Sequence, residues 1–142
     1  MADFERVSRV AGPGEMPAPF AAALDAHAEL VGAGDSPLAG VRASAVTDST
    51  PHSRGLLRRR RPHSTWIAVT GEHLVVVGDA SGAPVASLYR LAELEARPFE
   101  SPLATDEGLD VVAMPVGGGE RVSVFVPLAP GPAREAILAA LS

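Results

Sequence analysis

The sequence predicts a mainly β fold closed by a short C-terminal helix, and three observations lead to it. Short apolar runs recur between clusters of turn residues. One run, Arg121–Leu128, alternates strictly, with Val122, Val124, Val126 and Leu128 set against Arg121, Ser123, Phe125 and Pro127. After Pro130-Gly131-Pro132 the period changes to helical, with Ala133, Ile137 and Leu141 on one stripe and Glu135 in the first turn, where an acid complements the helix dipole.

The other elements follow in chain order. Residues 1–16 hold no sustained period and include Gly12-Pro13-Gly14, so they read as an arm or loosely held lead-in. Pro17-Ala18-Pro19 opens a helix over roughly 18–31, whose stripe is Phe20, Leu24, His27 and Leu30 or Val31, with Gly32 and Gly34 as the stop. Val41–Thr47 reads as the first strand. Ser64–Thr70 and His73–Val77 read as a hairpin across the two-residue turn Gly71-Glu72. Val85–Leu91 and Leu94–Phe99 are two strands with a kink at Ala92-Glu93. Leu109–Val116 is joined to Arg121–Leu128 by the turn Gly117–Glu120.

Length and composition bound the function classes. A chain of 142 residues can bury a core in one domain. With no cysteine there is no disulfide scaffold, thiolate metal site or cysteine nucleophile. No apolar window reaches the ~18 residues of a membrane-spanning helix. The first residues, Met1–Arg6, lack the pattern of a secretory signal. The expectation is a soluble, cytoplasmic protein, with contact at a membrane surface as the one qualification.

All 12 basic residues are arginine, and asparagine and glutamine are absent too, the mark of a GC-rich and by expectation bacterial genome rather than of selected guanidinium chemistry. The net charge of −5 is unevenly spread. Between Arg42 and Trp66 six arginines face a single acid, Asp48, a local charge of +5. The candidate anion- or partner-binding residues are Arg54, Arg58, Arg59, Arg60 and Arg61, on the long connection 48–63.

Seven short strands followed by one helix resemble a pleckstrin-homology-like domain, the match being carried by six of the strands, Trp66–Thr70, Leu74–Val77, Val85–Leu91, Leu94–Phe99, Val111–Val116 and Val122–Leu128, and by the helix Pro132–Leu141. Thr70 and Leu74, followed by Leu91-Ala92-Glu93-Leu94, resemble the bacterial GRAM-like and pleckstrin-homology-like members. The tryptophan common in the closing helix of such domains is missing, and Trp66 sits in a strand. The resemblance covers 41–142 and implies a seven-stranded antiparallel, partly open barrel capped by the C-terminal helix, with residues 1–40 as an added arm and helix. It also implies a basic loop between the first two strands, which in phosphoinositide-binding relatives holds the headgroup.

Other chemistries find little footing in the residues. His27, His52, His63 and His73 do not recur at metal-ligand spacing. There is no Gly-x-Ser-x-Gly elbow. Gly117-Gly118-Gly119 joins two strands and precedes no helix, unlike a phosphate loop. Asp106-Glu107 and Glu93 with Glu95 read as solvated surface. Nucleic acid is disfavoured by the overall acidity and by a single aromatic, Trp66, near the arginines.

The expectation is therefore a non-catalytic interaction or scaffold module without cofactor or metal, acting on a protein partner or on its own copies. The alternative expectation is a peripheral binder of anionic lipid or another anionic ligand through residues 54–61.

Overall fold

The computed structural model describes residues 4–27, 37–51, 62–80, 82–99 and 107–142. Eight strands and two helices are assigned among them: β1 (Phe4–Val10), α1 (Ala18–Asp25), β2 (Ala43–Pro51), β3 (His63–Val69), β4 (His73–Gly78), β5 (Val85–Arg90), β6 (Glu95–Pro98), β7 (Gly108–Ala113), β8 (Val122–Pro127) and α2 (Pro132–Leu141). The strands form two antiparallel sheets, one in the order β1-β2-β3-β4-β5 and one in the order β6-β7-β8. Among the described residues one isolated bridge, Tyr89 to Pro115, links β5 to the segment after β7, and the strands do not close into a barrel.

The five-stranded sheet is covered on both faces, which explains why β3 is buried from Thr65 to Val69. In register, Val46, Trp66, Val77 and Ala86 stand in line across β2–β5 on one face. There they form a core with Phe20 and Leu24 of α1. The opposite face presents Ala45, Ile67, Val69, Leu74 and Tyr89 to Leu109, Val111 and Val126 of the second sheet and to Ala133 and Ile137 of α2. Each fully buried leucine, isoleucine or valine contributes about 1.5–3 kcal/mol relative to exposure. Alternation along a strand therefore feeds two separate cores rather than one core and solvent.

The N-terminal segment departs from the sequence reading. Residues 4–10 are not a loose lead-in but an edge strand, paired with β2 from Phe4 opposite Pro51 to Val10 opposite Ala45. Glu15 then turns the chain: its carboxylate accepts the Gly12 N–H at 2.7 Å and the Arg9 guanidinium at 3.4 Å. Helix α1 starts where Pro17 predicts but ends at Asp25 rather than near 31; His27 lies in the turn beyond it, and residues 28–31 lie outside the described residues. Strand β2 runs on to Pro51, past the expected end at Thr47, because its polar tail is paired on both sides, with β1 and with β3.

The hairpin of β3 and β4 has the predicted two-residue turn, though Gly71 does not take the left-handed conformation. Thr70 holds the turn instead, its Oγ1 accepting the N–H groups of Glu72 at 3.3 Å and His73 at 3.0 Å. Helix α2 spans the predicted residues, entered through Gly131 at φ 142°, a conformation other residues rarely adopt. No helix among the described residues is long and apolar enough to cross a membrane.

Candidate functional site

Three places on the molecule carry exposed chemistry, and the first is the root of the basic connection. Arg54, Arg58, Arg59, Arg60 and Arg61, with His52, lie outside the described residues. The strands they join are described. Ser49 on β2 stands opposite His63 on β3, and Asp48 accepts a hydrogen bond from the Ser64 hydroxyl at 2.6 Å. Asp79 accepts the Ser64 N–H at 2.8 Å. Arg6 reaches this root from β1: its Nε donates to Ser49 Oγ at 3.1 Å, and its guanidinium lies 5.3 Å from the centroid of Phe125. Phe125 in turn meets Phe99 edge-on at 5.3 Å.

A column of hydroxyls runs from this root into the sheet. Thr47, Ser49 and Thr65 are buried. Ser8 Oγ lies 2.7 Å from Thr47 Oγ1 and also accepts the Ala129 N–H at 2.8 Å, tying β1 to the segment between β8 and α2. Burying these groups is tolerable because none of the described buried side-chain polar atoms lacks a partner.

The second place is the outer side of β5. The segment after β7 bonds to part of it, through Val116 N–H to Leu88 O and Arg90 N–H to Met114 O, each at 2.9 Å. Beside that contact lies an open apolar groove of about 390 Å³ lined by His27, Ala86, Leu88, Tyr89, Val116 and Val122. Val85 is exposed next to it.

The third place is β1, the opposite edge of the same sheet. Val7 and Val10 are each 61% exposed, the most exposed large apolar side chains among the described residues. Among the described residues no strand pairs with its outer side. Sequence reasoning missed this edge. Phe4-Glu5-Arg6-Val7-Ser8-Arg9-Val10 has no apolar alternation, because Glu5, Val7 and Arg9 are exposed while the half-buried Arg6 and Ser8 are polar. The available signal was a pair of valines interleaved with charges of both signs.

The remaining sequence candidates are scattered rather than convergent. His27 ends in the turn after α1, His63 sits at the loop root and His73 on β4. Glu93 occupies the bend before β6, Glu95 lies 3.8 Å from Arg121, and Asp106 falls outside the described residues. Among the described residues no three His, Asp or Glu side chains are grouped so as to hold a metal ion. Compared with known proteins, the chain matches no family model, no curated protein and no solved structure.

Proposed function

We propose that this chain is a non-catalytic interaction module of pleckstrin-homology-like fold, acting through protein contacts that include self-association. Strands β2–β8 followed by α2 supply the element order that the resemblance calls for, with β1 added at the outer edge of β2. The observation that carries the reading is the state of the two sheet edges. Both outer strands of the five-stranded sheet present accessible valines, Val7 and Val10 on β1 and Val85 beside the β5 groove. Accessible edges with apolar side chains are templates for pairing with another chain.

The test is retention of proteins from the source cells on the immobilised chain, comparing wild type with Val7→Lys and Val85→Lys. Retention lost in either variant supports the reading. Retention that neither variant changes, in a chain that also stays monomeric, contradicts it, as does turnover of a metabolite by the purified protein.

A second reading, binding of anionic lipid through Arg54 and Arg58–Arg61, is favoured by one observation. Ser49 stands opposite His63, so both ends of the connection that carries the arginines leave the same end of the sheet. Sedimentation with anionic vesicles should then weaken with salt and be lost when Arg58–Arg61 are changed to alanine. Binding indifferent to both would refute it.

A further inference from the structure

We infer that the groove beside β5 takes an extended segment of a partner protein, uncharged and aliphatic, which adds antiparallel to β5 at Ala86. This rests on the interaction-module reading and names the chemistry of the partner.

The inference starts from what already pairs with β5. The bridge from Tyr89 to Pro115 is antiparallel, with Val116 N–H donating to Leu88 O and Arg90 N–H to Met114 O. The even-numbered residues of β5 therefore aim their main-chain groups away from β4. The inner side agrees: Leu91 N–H donates to Glu72 O in the register of β4, so the odd-numbered residues are the ones that face it. Ala86, being even, faces outward. Continued in register, Gly118 would stand opposite Ala86. The chain turns off after Val116 instead, with Gly118 at φ 92° and its N–H donating to Pro115 O at 3.3 Å. Among the described residues no hydrogen bond reaches the outward N–H or C=O of Ala86.

Ala86 is nonetheless only 6% exposed. Main-chain groups screened from water are almost always paired, so this site calls for one acceptor and one donor held at strand spacing. A single residue of an antiparallel strand supplies both. Residues 114–116 show that this edge accepts such a strand, and the incoming segment continues their row.

The groove sets the side-chain chemistry. Its volume is about 390 Å³, with Leu88, Tyr89, Val116 and Val122 in its walls. Among the described lining residues His27 is the one that ionises near neutral pH, so a charged side chain entering the groove would lose water without meeting a full counter-charge. Residues flanking the paired one stand opposite Val85 and Ser87. Val85 is 56% exposed, and an aliphatic neighbour removes it from water. In strand addition of this kind the main-chain bonds supply affinity and the side-chain pockets supply specificity.

Amide NMR with the probe N-acetyl-Val-Leu-Val-amide, titrated to about 5 mM, tests this, that range covering weak association. The Ala86 amide should shift and exchange more slowly as peptide is added. Methylating the leucine nitrogen of the peptide removes the donor to Ala86 C=O and should weaken binding at least ~10-fold. Val122→Lys in the protein should weaken it by at least the same ~10-fold factor; Val122 is 37% exposed, and circular dichroism checks that the variant is folded. No response of the Ala86 amide overturns the inference. Equal binding of the methylated peptide also overturns it, reducing the site to an apolar pocket. A shift that follows protein concentration without peptide overturns it by giving the edge to a second copy. Source-cell proteins retained by Val85→Lys but lost on Val7→Lys would overturn the β5 site alone and leave the broader reading standing.

Discussion

At Gly108 a methyl group would meet the Val126 carbonyl and the Phe125 ring, whose Cζ would lie 2.5 Å away, so this stretch of β7 and β8 is built around a missing side chain. Gly108→Ala should cost about 1–3 kcal/mol in urea unfolding, the range for overpacking. Glu93 is the one described non-glycine residue with positive φ, at 62°, and its carbonyl accepts the Arg121 guanidinium at 3.0 Å. Because the carbonyl contact survives loss of the side chain, Glu93→Gly should be neutral or stabilising by up to about 1 kcal/mol. Ser8→Ala removes a hydroxyl shared by buried Thr47 and the Ala129 N–H, and should cost about 1–3 kcal/mol. None of these three environments is written in the local sequence. Each depends on a neighbour distant along the chain.

Elements were legible where their apolar pattern met a buried face. The β3–β4 hairpin, β5, β7, β8 and α2 fall within a few residues of the sequence reading because Ile67, Leu74, Leu88, Val111, Val126 and Ile137 all point into a core. β1 was illegible because its side chains are mostly exposed, and the tail of β2 beyond Thr47 because Ser49 is buried as a bonded hydroxyl. α1 was read too long, its apolar letters continuing past Asp25 where the helix stops. This helix is anchored chiefly by Phe20 and Leu24, so Leu24→Ala should cost about 2–4 kcal/mol and release α1 preferentially, read as faster amide exchange there than in α2. The arginine connection was legible as a charge run, but its five candidate residues lie outside the described residues, and only its root on β2, β3 and β1 carries geometry.

At the scale of the whole molecule, one sheet separates two cores, α1 on one side and the second sheet with α2 on the other. Substitutions on opposite faces share few partners, so the costs of Ile137→Val and Val77→Ala should add to within about 0.5 kcal/mol. Such a sheet has both faces committed, which leaves its edges as the remaining surface for association. β5 is partly covered by residues 114–116, whereas among the described residues no strand pairs with the outer side of β1. The most direct test is residue-resolved amide exchange of β1 at low and high protein concentration. The account predicts that Val7 and Arg9, bonded to β2, are protected throughout, while Ser8 and Val10 gain protection only as concentration rises. Ser8 and Val10 exchanging equally fast at every concentration would contradict it.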